Sequence, residues 1–474
     1  MLRRGIHGAR VLLVRGVVLR AISASTNFIL IVLVAPAEFG LLAVVRGAFV
    51  AIQFVSDLGF ELAMIRRAEE PSQREMAAFG GFRILVLLAV FATALGSTYV
   101  VTVFGLLPGQ WSGWMLAAIA SLLMTPLQTV CKIRLERDLQ FTKLSFLEVN
   151  GILLQNVGLV LFALAGHFVR GIFLVQIGLS VYYTVVLHRM VPGARVSFDL
   201  RFLRPHVRDS AGFSLSLLLT AARDSFTPIL IAKLFGLDVA GLWAFATRFG
   251  QFLLLTFEGY ARVGMTVAGR MARDQARLRE LATSALRETA RTAYPIVGVL
   301  YAALPLVAVM LPRWGGAVGL AQLYVLSLGV LGIFSVALSP VVLATRGLRA
   351  VLTEQSLSTG TVWLGVAALW FFDVENVAIA FALGNVVSVL CLARLTPRAV
   401  RPPMRGTLTQ PLLIVSSVVA LVLILQHLGA RPWFVAAAAA AAPFAWLMVQ
   451  LTRGLRGKAA RPLGPRGAAG EGVL

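Results

Sequence analysis

Acidic side chains are scarce in this chain: 21 Asp and Glu stand in 474 residues, against 43 Lys and Arg. Charge of either sign is thin as well, at 14% of residues, where soluble domains sit near about 25%. A soluble core is therefore not what this sequence builds. Cysteine is limited to Cys131 and Cys391, far apart, which excludes a CxxC pair or a cysteine-based metal cluster and makes a disulfide unexpected in a reducing compartment. The five histidines, His7, His167, His188, His206 and His427, are scattered without metal-ligand spacing. No Gly-rich loop ending in GK[ST] is present, so the chain is not expected to hydrolyse ATP. Outside the apolar runs no Asp/Glu constellation suited to hydrolysis or glycosyl transfer occurs. Carboxylates there alternate with arginine, as in "LERDLQ" and "ARDQARLRE", and read as solvated surface helix. These absences argue against an enzyme and imply no cofactor.

What the chain does have is apolar length. Hydrophobic residues make up 58% of it and mean hydropathy is +0.85. Runs of roughly 20 apolar residues, each long enough to span a bilayer, predict about fourteen helices. They fall near 11–34, 40–65, 84–106, 113–131, 146–165, 170–188, 211–235, 239–266, 290–311, 317–344, 357–371, 374–393, 411–428 and 432–451. The N-terminus opens on basic residues as a signal peptide does, but its apolar run is too long and lacks a small-residue cleavage site, so it reads as the first span. A net charge of +22 would suggest nucleic acid in a soluble protein; here its distribution gives another reason. The odd-numbered connections are short and hold only Arg170, Arg313 and Arg431, whereas the even-numbered connections and both tails hold 33 of the 43 basic residues. The positive-inside rule then puts both termini in the cytoplasm, with no call for a nucleic-acid partner. The Gly, Ala, Pro and Arg of the tail, 453–474, carry no apolar period and predict a disordered basic segment.

An internal repeat shows at an offset of 201 residues. Set "LVAPAEFGLLAVVRGAFVAIQFVSDLG" above "LFGLDVAGLWAFATRFGQFLLLTFEGY": Gly40 falls on Gly241, Leu41 on Leu242, Ala43 on Ala244 and Asp57 on Glu258, while Arg46 and Arg248 miss by one position. Six spans separate the copies, so both share one orientation. Parallel repeats of this kind are related by an axis along the membrane normal, and transporters place substrate at the repeat interface. The division this predicts is an N-terminal six-helix bundle over 1–195, a second over 196–400, and two extra transmembrane helices over 401–452.

Charges inside the spans are the informative residues. Arg15, Arg20, Arg46, Arg223, Lys233, Arg248 and Arg262 are basic, and Asp57, Glu61, Asp224 and Glu258 acidic. Most lie in the first, second, seventh and eighth spans, the matching pairs of the two copies. A charge in a bilayer core costs about 2.5–3.5 kcal/mol on insertion scales and faces a partner or a wet cavity. Arg20 shares a helical face with Ser23 and Asn27, and Arg223 and Asp224 continue a stripe from Ser216 and Thr220 to Thr227. The readings differ by residue. Arg15, Lys233 and Arg262 are near enough to helix ends to snorkel, as Arg46 and Arg248 are to a smaller degree. Glu258 and Arg262 are spaced for a local ion pair. Arg20 and Arg223 sit near the bilayer centre, where the alternatives are an ion pair with Asp57 or Asp224, or a cationic cavity suited to a phosphate-like anion.

Four segments carry a resemblance: "APAEFGLLAVVRGAFVAIQFVSDLGFELAMIRR", "RLERDLQFTKLSFLEVNG", "DVAGLWAFATRFGQFLLLTFEGYARVGMTVAGRMARDQARLRE" and "LPRWGGAVGLAQLYVLSLGVLG". In that order, over about residues 10–400, they resemble the Wzx-like oligosaccharide flippases of the multidrug/oligosaccharidyl-lipid/polysaccharide superfamily, particularly the colanic-acid-exporter-like branch. The resemblance implies an all-α polytopic membrane protein, with two pseudo-symmetric six-helix bundles in a V and two further C-terminal helices. It implies transport, by alternating access across the bacterial inner membrane, of an undecaprenyl-pyrophosphate-linked oligosaccharide. Membrane lipid and the polysaccharide polymerase machinery are the partners it implies. Arginines in a central cavity hold the pyrophosphate in that family; the matching positions by location are Arg20, Arg46, Arg223 and Arg248, with Asn27 beside them. Asp57, Asp224 and Glu258 are the carboxylates available for ion coupling. A cation-coupled drug exporter, a lipid-linked peptidoglycan precursor flippase, and a membrane polymerase or ligase are the alternatives. An acidic or apolar cavity would mark the first and a large outer loop the last.

Overall fold

Backbone amides have no water to bond in a bilayer, so a chain this apolar must satisfy them within its own segments. The computed structural model does so with helices alone among its described residues. These are 19, 22–23, 25–57, 61, 64, 72–103, 109–138, 140–192, 196–199, 201, 215–216, 218–271, 273–428, 431–441, 443 and 445. In chain order the helices are α1 (25–33), α2 (Pro36–Asp57), α3 (Gln73–Val103), α4 (Gly109–Ser121), α5 (Thr125–Arg137), α6 (Phe141–Leu164) and α7 (Phe168–Met190). A π turn, Ala222–Phe226, then leads into α8 (Thr227–Phe235). After it come α9 (Leu237–Arg270), α10 (Gln275–Ala303), α11 (Pro305–Met310), α12 (Ala317–Arg346), α13 (Leu348–Phe371), α14 (Ala378–Leu395), α15 (Met404–His427) and α16 (432–441).

Eight stretches among the described residues are long and apolar enough to cross a membrane: Pro36–Asp57, Gln73–Gly96, Gly113–Arg137, Thr142–Leu164, Phe168–Met190, Gln275–Met310, Ala317–Arg346 and Ala378–Leu395. Val415–His427 and Pro432–Ala441 are shorter apolar helices. The spans expected at 11–34, 40–65, 84–106, 211–235 and 432–451 lie partly outside the described residues, and the basic tail, 453–474, lies wholly outside them. Two helices begin well before their apolar runs. In α3 the sequence "SQRE" closes a capping box: Ser72 N–H donates to Glu75 Oε2 at 2.7 Å and Glu75 N–H to Ser72 Oγ at 3.2 Å. In α10 Asp274 accepts from the Arg277 N–H at 3.1 Å. The helix is thus nucleated in the basic connection and runs into the apolar span without a break.

The chain divides into two compact units, one of residues 1–245 and 355–377, the other of 246–354 and 378–474. In the first, α6 packs on α7, α7 on α4 and α5, α3 on α5, and α2 on α8 and the π turn. In the second, α10 packs on α12 and α15, and α12 on α14. There the core gathers Leu253, Phe257, Leu286, Tyr294, Val297, Val325 and Ile333. Large apolar side chains such as Leu164, Met310, Leu364 and Phe371 point outward, the inverse of a soluble surface and the face that lipid covers.

The repeat is realised as a contact. A Cβ on Gly40 would meet the Leu237 carbonyl oxygen at 2.1 Å, and a Cβ on Gly241 would meet that of Pro36 at 1.8 Å. Pro36 and Leu237 are themselves 201 residues apart, so the start of α2 and the start of α9 touch through equivalent atoms in both directions, the signature of a local two-fold. Gly236, at φ +93°, turns the chain from α8 into α9 in a conformation that glycine alone adopts freely. Gly241→Ala is expected to force these backbones apart, at about 1–3 kcal/mol for overpacking. Gly360→Ala, with open space around its Cβ, should stay within about 0.5 kcal/mol of wild type. Thermal unfolding of the purified variants in one detergent checks both.

Candidate substrate site

The π turn is the irregular point of the first unit, and Pro228 explains it. Proline has no N–H to return to the Asp224 carbonyl, and its ring crowds that oxygen. The backbone answers by widening over Ala222–Phe226 before resuming α geometry at Thr227, the kind of bulge that recurs at functional positions. Side chains then bond the displaced carbonyls. Thr227 Oγ1 donates to the Arg223 carbonyl at 2.6 Å, and Trp363 Nε1 lies 3.2 Å from both the Ala222 carbonyl and Thr227 Oγ1. Arg223 and Asp224 project from this turn and pair with each other, Nε to Oδ1 at 2.9 Å, with Arg223 half-buried and Asp224 exposed.

The predicted polar stripe of this segment divides in two. Ser216 Oγ donates to Gln355 Oε1 at 2.7 Å, and Thr227 is fully buried; both serve helix packing. Thr220 and Asp224 are exposed. α2, the helix that carries Arg46, reaches the π turn. Gly47, next to Arg46, lies so close to the π turn that a Cβ there would meet the Ser225 carbonyl oxygen at 2.2 Å. The helix bearing Arg46 and the turn bearing Arg223 are therefore in direct backbone contact. Asn27, half-buried on α1, belongs to this unit as well. Arg20 lies outside the described residues.

Asp57 is placed elsewhere, at the far end of α2, where a residue outside the sequence-derived set takes part. Arg83, expected just before a span, sits eleven residues into α3 and is 3% exposed. Its guanidinium donates to Thr129 Oγ1 on α5 and, at 3.3 Å, to Ser56 Oγ on α2. Nη1 lies 3.9 Å from Asp57 Oδ1 and 3.8 Å from Glu61 Oε2, and the Phe79 ring is 5.7 Å from Cζ. One buried cation thus ties three helices. The run "AAFGGFRILVLL" held the signal, an arginine preceded by seven residues with no other charge.

In the second unit α9 carries Arg248, half-buried, and Glu258 ten residues further on; the Glu258 side chain lies outside those described. A second buried polar pair was also not anticipated. Glu354 on α13, 5% exposed, accepts a hydrogen bond from Ser388 Oγ on α14. Among the described residues no group of three His, Cys, Asp or Glu could hold a metal ion.

The described residues build an all-helical, multi-pass architecture with charged side chains in its apolar helices, and the comparisons with known proteins agree with it. Residues 29–318, more than half of the sequence, match the family described as polysaccharide biosynthesis protein, and the chain belongs to that family. The fold is similar to that of the lipid II flippase MurJ in an inward closed conformation, with a TM-score of 0.69 at 12% identity over 95% of this chain and 100% of that one. It is also similar to an inward-facing multidrug resistance MATE family transporter of the MOP superfamily, with a TM-score of 0.58 at 14% identity over 79% of this chain and 93% of that one. Among curated protein sequences none matches this chain. The fold expected from the four segments is the fold observed.

Proposed function

We propose that the protein flips a polyprenyl-pyrophosphate-linked oligosaccharide, a precursor of surface polysaccharide, from the inner to the outer leaflet of the bacterial inner membrane. The observation that carries this reading is the backbone contact between the helix of Arg46 and the π turn of Arg223. It sets two guanidinium-bearing segments side by side in membrane helices, where a pyrophosphate needs charge-assisted donors. Membership of a polysaccharide biosynthesis family supports the glycan end of the substrate. On this reading Arg20, Arg46, Arg223 and Arg248, with Asn27, accept the head group while the polyprenyl tail stays in lipid. The two bundles, 1–195 and 196–400, rock about the midplane, and Asp57, Asp224 and Glu258 are the carboxylates that an ion-coupled return would use. Both termini face the cytoplasm, with polymerase machinery receiving the product outside.

Cells lacking the protein test the proposal through a mass-spectrometric lipid extract. Accumulated polyprenyl-pyrophosphate oligosaccharide together with lost surface glycan is the expected result. The likeness to MurJ favours one second reading, a peptidoglycan precursor as cargo; accumulation of that lipid with normal surface glycan would select it. Normal lipids, normal glycan and raised sensitivity to cationic drugs would overturn both.

A further inference from the structure

The seam between α13 and the segment leading into α8 is polar at each successive turn. Gln355, Thr359 and Trp363, four residues apart, share one face of α13. Gln355 accepts from Ser216 Oγ, Thr359 Oγ1 donates to the Leu219 carbonyl at 3.2 Å, and Trp363 Nε1 donates at the π turn. The first two bonds join regular helix. The third meets the one place where the backbone leaves regular geometry.

The Ala222 carbonyl has two side-chain donors near it. Thr227 Oγ1 stands 3.3 Å away, but its single proton is directed at the Arg223 carbonyl, 2.6 Å away. The indole N–H is the remaining donor. Trp363 is 39% exposed, so burial of its ring does not by itself account for a tryptophan here, whereas its polar edge points inward to the turn. If the bulge relaxed to regular α-helix, one residue would leave the wide turn. Each residue of α-helix is about 100° of rotation, so the helix after the turn would swing by up to that angle relative to the segment before it, and Arg223 and Asp224, inside the turn, would be re-aimed by part of it.

We infer that Trp363 is a positioning residue of the anion site: its indole N–H holds the π turn at Ala222 and so fixes the direction in which Arg223 and Asp224 point. The inference rests on the proposed role of Arg223 and deepens it, since it makes a residue 140 positions away in sequence a determinant of the same site.

The experiment measures binding of inorganic pyrophosphate to the purified full chain, with thermal unfolding recorded on the same samples. Trp363→Phe keeps an aromatic ring and removes the N–H. Trp363→His gives up bulk but returns an N–H, because imidazole Nε2 occupies nearly the place of indole Nε1. The expected order of affinity is wild type, then His, then Phe. Phe should be weaker than wild type by about fivefold, the factor one neutral hydrogen bond carries, with its unfolding temperature no lower than that of the His variant. A purely packing role predicts the reverse order, Phe above His, and that result overturns the inference. Arg223→Ala separates the two levels. If it binds pyrophosphate as wild type does, the reading of Arg223 falls. If it loses binding while Trp363→Phe matches wild type, the positioning role alone falls. Should Trp363→Phe not fold, Thr227→Val, which removes the hydroxyl from the same bond group at nearly constant shape, is read identically: unchanged affinity overturns the inference.

Discussion

Arg223→Ala is expected to abolish surface glycan export while leaving the protein at its normal level in the membrane. The residue is half-buried, sits on a turn that costs backbone regularity to form, and is oriented from two directions. Asp224 engages its Nε edge at 2.9 Å, and Thr227 and Trp363 hold the backbone that carries it. Truncating one partner of a hydrogen-bonded charge pair in a site shielded from water costs about 2–5 kcal/mol. That converts to a loss of at least about thirtyfold in substrate affinity. Arg223→Lys should recover part of the function, because an ammonium keeps the charge but not the planar fork that meets two phosphate oxygens together. Export is read as surface glycan per cell, with membrane protein quantified in parallel. Wild-type glycan from Arg223→Ala at wild-type protein level would remove Arg223 from the site and leave its pair with Asp224 a structural one.

The class of this molecule was legible because its physics is one-dimensional: apolar runs of bilayer length and basic residues confined to alternate connections need no tertiary information. The 201-residue repeat was legible for a related reason. Gly40 and Gly241 are required by a backbone-to-backbone contact, and a position that admits no Cβ leaves a mark in both copies. Arg46 and Arg223 stood out as charges in apolar surroundings, and the structure puts their helices in contact. What the sequence hid is of two kinds. Arg83 sits at the start of an apolar run, where an arginine ordinarily reaches water; only the upstream extension of α3 to Gln73 carries it into the interior, and that depends on the capping box at Ser72 and Glu75. The π turn was hidden because a proline in a span announces a disturbance but not its geometry. The partners that settle it, Gln355, Thr359 and Trp363, lie about 140 residues away, and their four-residue spacing in "QSLSTGTVW" was the signal available. The same polar face, with Glu354, Ser358 and Thr361 nearby, dilutes the apolar character of α13, which is not among the eight stretches apolar enough to span on composition alone.

Arg83→Ala is expected to destabilise the protein by about 3–5 kcal/mol, the range for breaking a buried ion pair by removing one partner. The loss has three sources. Asp57 and Glu61, 3.9 and 3.8 Å from the same Nη1, would meet each other without the cation between them. Thr129 Oγ1 and Ser56 Oγ would lose their donor, and α2, α3 and α5 would lose a side chain that touches all three. Repulsion makes up part of this, so neutralising the carboxylates should return it: a variant with Arg83→Met, Asp57→Asn and Glu61→Gln together is expected to recover at least about half of the deficit, as isosteric replacement of a whole buried charge group commonly does. The readout is built into the fold. Cys131 lies on α5, fully buried and free, two residues after Thr129 and packed with Leu144 and Leu147 of α6 and Leu187 of α7. In a Cys391→Ser background its labelling by a maleimide, followed against temperature, reports the opening of this unit. Arg83→Ala should expose it well below the wild-type transition and the triple variant between the two. Equal labelling of wild type and Arg83→Ala would show that the guanidinium ties nothing together. Its contacts with Asp57 and Glu61 would then carry no stability.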